Sequence, residues 1–347
     1  MNKIAIRAPL GALLAVTSTA ALADHMGASA YGSGGGMSVF SPDTLDGGHW
    51  AAGLRLAYTR PEQRSDAELE TLADRHIHAH NTDYSLNASL GLAYGVSHHL
   101  TLSVELPYVR RDALREGEHS HVDGEAVNGV EQLGNVAGLG DMNLLAKYRV
   151  TEGEGPGLAL VGGIKLPTGS THRRSPDGER LETEHQPGSG SWDPIVGASA
   201  SAPLGSVRLT ASALYQLSTM GAQDTRLGNR LQGGIAISHR FGPAAPEHRH
   251  EHGAAGEHHH HDAEEARRDS WDGFVEIAGE WEGRQRIGGA IEEASGGKWA
   301  WMAPGLRFNS ASGWSAGAAV AIPVWQRIRA SHPDNRYRLT VSLGRAF

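Results

Sequence analysis

The sequence predicts an all-β fold: a closed, transmembrane, antiparallel up-and-down β-barrel of about 12 strands in a bacterial outer membrane, both termini on the periplasmic side. Three observations predict it. Apolar and polar residues alternate with a period of two in run after run. Connections alternate between short and long. The apolar faces often begin or end at Tyr or Trp, and the chain stops at Phe347. Successive side chains of a strand point to opposite faces, so alternation marks a two-faced strand. A soluble sandwich would alternate in the same way. The aromatic ends and the loop asymmetry separate the membrane barrel from it.

The N-terminus comes first. Lys3 and Arg7 precede the apolar run Leu10 to Val16, and Ala21-Leu22-Ala23 stands before Asp24. A positive start, a short apolar core and a small-x-small site make residues 1–23 a cleavable signal peptide. Residues 24–47 show no strand period and are expected in the barrel lumen or the periplasm. The barrel is expected over 48–347.

In the first run Trp50, Ala52, Leu54, Leu56 and Tyr58 share one face, and Ala51, Gly53, Arg55 and Thr59 the other. Tyr84, Leu86, Leu90, Leu92 and Tyr94 repeat the pattern, as do Leu100, Leu102, Val104, Leu106 and Tyr108. Met142, Leu144, Ala146 and Tyr148 alternate with Asp141, Asn143, Lys147 and Arg149. Val207 to Tyr215 and Tyr337 to Phe347 behave alike. The expected strands are 48–60, 82–95, 100–109, 140–150, 157–167, 190–202, 206–217, 230–241, 271–282, 298–308, 314–325 and 336–347. Short turns fall at Gly95 to His99, Thr151 to Gly157, Pro203 to Ser206 and Asn309 to Gly313. Long polar connections fall at Pro61 to His80, Arg110 to Gly138, Thr168 to Ser189 and Gly283 to Gly297. Proline cannot donate to a ladder, so Pro107, Pro167 and Pro323 are expected to close strands at one rim. An even strand count puts both termini at the short-turn end.

Composition excludes several classes. With no cysteine there is no disulfide framework and no thiolate site. A net charge of −8 argues against a nucleic-acid partner. No catalytic group assembles: Ser238 and His239 point to opposite faces of one strand, Asp83 beside His80 is ordinary loop chemistry, and Gly138-Leu-Gly-Asp141 lacks a strand-to-helix setting. The protein is therefore expected not to be an enzyme and to require no cofactor.

The segments Leu90-Gly-Leu-Ala-Tyr-Gly-Val-Ser, Leu102-Ser-Val-Glu-Leu-Pro-Tyr-Val-Arg, Gly138-Leu-Gly-Asp-Met-Asn-Leu-Leu-Ala-Lys-Tyr-Arg, Ile164-Lys-Leu-Pro-Thr-Gly and Gly188-Ser-Gly-Ser-Trp-Asp resemble a family of proteobacterial outer-membrane transporters. That family is named for the MetA pathway of phenol degradation. The resemblance covers most of residues 40–347. It implies the barrel, the outer membrane and passage of small organic molecules, and it carries no catalytic residues.

Residues Glu247 to Asp262, within a connection at 242–270, hold His248, His250, His252, His258, His259, His260 and His261, seven of the 20 histidines. Imidazoles beside carboxylates suit Zn(II), Cu(II) or Ni(II). Gly and Ala around them imply no preformed geometry. Strand parity puts this connection in the periplasm. Weaker candidates are His76, His78 and His80, expected on one side of an extended segment, with His119 and His121 in the next long loop.

The polar face carries Arg55, Glu105, Asp141, Lys147, Arg149, Lys165, Asp193, Arg208, Arg230, Glu276, Glu280, Arg336 and Arg338. These are the pore-lining candidates. They either pair and fill the interior or line a water-filled path. The expected function is a non-enzymatic porin-like channel or transporter for small solutes, aromatic or metal. The alternative is metal capture, sensing or buffering through the His-rich segment. Expected partners are outer-membrane lipid, the barrel assembly machinery that reads a terminal aromatic strand, and the solutes or metal ions themselves.

Overall fold

A computed structural model describes residues 35–122, 125–153, 155–242 and 269–347. The expected signal peptide at 1–23 and the histidines of 247–262 lie outside the described residues. Twelve antiparallel strands form one closed wall: β1 (Trp50–Pro61), β2 (Tyr84–Ser97), β3 (Leu100–Val122), β4 (Glu125–Leu139 and Met142–Arg149), β5 (Gly157–Leu166), β6 (Asp193–Leu204), β7 (Val207–Gln216), β8 (Arg230–Phe241), β9 (Ser270–Glu282), β10 (Gly297–Asn309), β11 (Trp314–Ile328) and β12 (Asn335–Ala346). Each pairs with the next, and β12 closes on β1 with Leu54 opposite Leu343.

The alternation sorts as period two demands. Leu54, Leu90, Leu92, Leu160, Val196, Ile235, Ile277, Leu306 and Val341 are exposed on the outside. Arg55, Thr101, Glu105, Asn143, Thr210, Glu276 and Thr340 are buried within. Aromatics bound the apolar belt at both ends. At the short-turn end Trp50 meets Tyr94 at 4.6 Å and Trp271 meets Phe308 at 5.1 Å. At the long-loop end Tyr58 stacks on Tyr84 at 5.2 Å, with Tyr337 at 6.3 Å. From Trp271 to Trp281 the strand rises about 33 Å at ~3.3 Å per residue. Tilted by about 40°, it stands about 25 Å tall, the height of a bilayer's apolar band. Ile277, near mid-belt, is 56% exposed. Ile277→Arg is therefore expected to cost about 2–4 kcal/mol in lipid vesicles, read from the denaturant midpoint of unfolding.

Four departures have local causes. The expected loop Arg110 to Gly138 is a hairpin that carries β3 and β4 past the aromatic belt. Register shifts at Arg111/Leu114, with Ala113 at φ 50 and Gly134 at φ 75, break the phase of alternation there. Leu114, Leu133, Val136 and Leu181 form a small core on this hairpin. Pro107 and Pro323 do not close strands, since β3 and β11 continue through Val122 and Ile328. Both sit where a ladder changes: β3 passes from Asn143 to Leu139, and β11 bulges at Val324 opposite Ala300/Trp301 of β10. Pro167 does follow a strand end.

Within the long connection Pro61 to His80 stands a short helix, α1 (Asp66–Ala73). Ser65 accepts from the Glu68 N–H at 3.3 Å, and the Glu68 carboxylate accepts from the Ser65 N–H at 2.7 Å. The two bonds form a reciprocal cap between Ser65 and Glu68. Leu69 and Ala73 press on the hairpin at Gly117, where an added Cβ would lie 2.4 Å from the Leu69 oxygen. Arg336, expected inside, is exposed. The register skips it between Arg60↔Tyr337 and Pro61↔Asn335, so Asn335 takes the inward place.

Candidate functional site: the barrel lumen

The lumen is occupied at the short-turn end. Residues 35–45, which lack strand periodicity, enter the barrel and are gripped by inward side chains. The Glu276 carboxylate accepts the N–H groups of Ser38 at 3.0 Å and Val39 at 3.2 Å. Ser212 Oγ accepts the Phe40 N–H at 3.2 Å, and Thr101 Oγ1 accepts that of Leu45 at 2.8 Å. Arg307 donates to the Gly36 carbonyl at 2.8 Å, and Lys147 to that of Ser41 at 3.4 Å. Arg149 pairs with Asp43 at 3.4 Å.

Apolar contacts complete the grip. Phe40 packs on Leu145, Val161, Ile195 and Leu214, and Met37 on Phe274 and Ala319. An apolar patch inside a polar lumen would be costly to wet, and the entering segment covers it. Leu145 is the inward position at which the β4 alternation broke in the sequence. Gly36 is demanded by contact: a Cβ there would fall 1.7 Å from Glu276 Oε2. Gly36→Val is expected to dislodge the segment and raise ion flux through reconstituted protein. Flux equal to that of the unaltered protein would show that the segment yields without opening a path.

A second closure comes from the connection 167–192. Asp141, at the break in β4, accepts the N–H groups of Gly169 at 2.9 Å and Ser189 at 2.8 Å, and the Ser189 hydroxyl at 2.6 Å. Lys165 Nζ lies 3.2 Å from Asp141 and 2.7 Å from Asp193. The backbones at Gly169 and Gly188 cross so closely that a Cβ on Gly169 would lie 2.6 Å from the Gly188 Cα. Three of the family-like motifs thus converge: Gly138-Leu-Gly-Asp141, Ile164-Lys165-Leu-Pro-Thr-Gly169 and Gly188-Ser-Gly-Ser-Trp-Asp193 build one anchor that folds the connection onto the lumen.

Between the closures lies a cavity of about 190 Å³. Its lining includes Arg55, Glu105, Asn143, Lys165, Gln216, Arg230 and Trp299, with His80, Glu184 and His332 toward the long-loop end. Several other interior charges have partners along the wall. Arg338 reaches Glu280 at 2.9 Å and covers the Trp301 ring at 4.6 Å, and Arg230 meets Glu282 at 3.2 Å. Arg240 meets Asp272 at 2.7 Å, and Arg208 donates to Ser201 at 3.2 Å. Ser238 is buried inside, while the His239 ring bonds the Ser206 carbonyl near a turn, so the two stay apart.

The loop histidines do not share one side. His76 has φ 57, which breaks the extended run. Its ring meets His119 edge-on at 4.5 Å. His78 is mostly exposed and lies 3.5 Å from Glu116. His121 lies on the β3 extension. His80 is buried, its ring 4.7 Å from His185 and 4.4 Å from His332.

These groups lie beyond the belt, and their titration reflects burial against pairing. The hydrogen bond to Glu116 raises His78 to about 9. Burial pushes Glu184 up to about 7 and His332 down to about 3. Burial also holds His80 well below the usual imidazole range. For Glu116 burial pushes upward, but hydrogen bonds from His185 and His78 outweigh it and bring the group to about 2. Glu116, Glu184, His185 and His332 were missed in the sequence because nothing local distinguishes them from other loop residues.

The fold has relatives. An outer membrane channel from Pseudomonas putida F1 superposes with a TM-score of 0.57 at 16% identity, over 88% of this chain and 97% of that one. LpxR from Salmonella typhimurium gives 0.37 at 9% identity, over 84% and 99%. The CymD monoaromatic hydrocarbon channel gives 0.37 at 8% identity, over 87% and 88%. No curated protein matches the sequence. The family model described as "Putative MetA-pathway of phenol degradation" matches residues 57–248, more than half of the 347. With its closed wall and apolar belt, the chain is a bacterial outer-membrane β-barrel and belongs to that family.

Proposed function

We propose that the protein is a non-enzymatic outer-membrane channel for small organic solutes, held shut at rest by its own N-terminal segment. One observation carries the reading: the wall grips Gly36 to Leu45 chiefly through side chains. Such contacts can release without breaking the barrel ladder. A strand added to the wall could not leave so cheaply, because each buried backbone group would lose its partner.

The cavity suggests the size of the solute. A 150 Å³ apolar cavity accommodates benzene, and about 190 Å³ suits one ring with a substituent. Trp299 beside polar groups such as Asn143 and Gln216 in the lining favours a ring bearing a hydroxyl. The family description, which names phenol degradation, and the channel from Pseudomonas putida F1 agree with this reading. In it, residues 1–23 direct export, and both termini face the periplasm.

Swelling of proteoliposomes in isosmotic solutes tests it. A variant lacking residues 24–49 is expected to admit phenol-sized aromatics and benzoate faster than disaccharides. Equal swelling in all solutes would remove the selectivity, and no swelling in any would remove the channel.

A further inference from the structure

At the long-loop end, two connections distant in sequence bring His80 together with Glu184 and His185, each offering a ligand atom within 4.8 Å of the others. Glu116 and Glu182 form an overlapping set around the same His185. We propose that this cluster is a binding site for a divalent transition-metal ion of the Zn(II), Ni(II) or Cu(II) class. It is separate from the His-rich run at 247–262 and does not depend on the protein's being a channel.

The donor atoms are placed for it. His80 Nδ1 lies 4.0 Å from Glu184 Oε1, and His185 Nε2 lies 3.9 Å from the same oxygen. Donors around a tetrahedral ion bound at about 2.0–2.1 Å stand about 3.3 Å apart. Bringing these two pairs to that spacing asks each to close by well under an ångström. Glu116 Oε2, in the overlapping set, lies 3.3 Å from His185 Nε2, near enough to be drawn in as a further ligand.

A second observation points to a ligand. His80 Nδ1 is buried and has no hydrogen-bond partner. Leaving a buried polar atom unmatched costs free energy, so such atoms need a reason. Coordination supplies one. Coordination through His185 Nε2 requires the Nδ1–H tautomer. Arg111 would then give up its 3.4 Å approach to Nδ1. A bound ion would tie the β3 extension and the connections 62–83 and 167–192 into one cap over the cavity.

The test uses full-length protein in detergent, with the seven histidines of 247–262 changed to Asn, titrated with Co(II) and Zn(II). One tight equivalent with the visible bands of low-coordinate Co(II) is expected. His76→Gln should leave it intact. His80→Gln should weaken it at least about a hundredfold, since even indirect supports of a metal ligand account for 10–100-fold. Heat-modifiable migration on gels confirms that each variant is folded. Zinc-edge X-ray absorption on the seven-histidine variant needs no change at the site and should show two imidazoles among its ligands. No tight equivalent in that variant, undiminished binding by folded His80→Gln, or a zinc shell without imidazole would each overturn the proposal.

Discussion

Removing residues 24–49 is expected to turn a protein that shows no resolved conductance steps in planar bilayers into one that shows them. Residues 35–45 of the segment lie in the short-turn end of the lumen, and their bonds to Glu276, Ser212, Arg307 and Lys147 hold them there. Without it, the inward charges are left to face water. The change should be the largest any single alteration produces, because the alternative path through the wall is a continuous ladder of strands. Gly36→Val should fall between the two, since it pushes the segment from Glu276 without removing it. Identical traces from intact and shortened protein would mean that the connection 167–192 is sufficient to close the lumen, and the proposed resting plug would be wrong.

Lys165→Met is expected to cost about 3–5 kcal/mol of folding stability, the range for removing one partner of a buried ion pair. Lys165 is the cation between Asp141 and Asp193, whose side chains are 6% and 1% exposed. The variant leaves two buried carboxylates facing each other. Asp141 also holds Gly169 and Ser189, so the loss should loosen the inward connection as well. Equilibrium urea unfolding in lipid vesicles measures it. Adding Asp141→Asn and Asp193→Asn to Lys165→Met should recover part of the loss, because removing all charges avoids the unpaired ones. A Lys165→Met midpoint equal to that of the unaltered protein would show that cavity water solvates both carboxylates.

The two predictions rest on different levels of information. The partners in the Lys165 network all stand in motifs that are conspicuous in the sequence, yet nothing in those motifs says that they meet. Asp141 lies at the break in β4 and Asp193 at the start of β6, and Ser189 lies in a connection expected to be an outside loop. The N-terminal grip is less visible still. Its receptor consists of Leu145, Val161, Ile195, Leu214 and Phe274, each a local breach of the alternation. A breach alone reads as noise, and it acquires meaning when five of them line one surface. Where the wall bulges, at Arg111/Leu114 and beside Arg336, the period-two reading loses phase. It then misassigned a hairpin as a loop and an exposed arginine as inward.

What the amino-acid sequence determined by itself is the wall: twelve strands, the apolar belt, the aromatic ends and the inward positions of Arg55, Glu105 and Glu276. Each of these follows from a repeated local choice, since every strand must show one face to lipid and the other to the interior. The tertiary structure alone decided what fills the wall. The entering segment, the Asp141 anchor and the cluster of His80, Glu184 and His185 join residues from distant parts of the chain. Such meetings depend on closure of the ring and the path of its connections, and no local period records them.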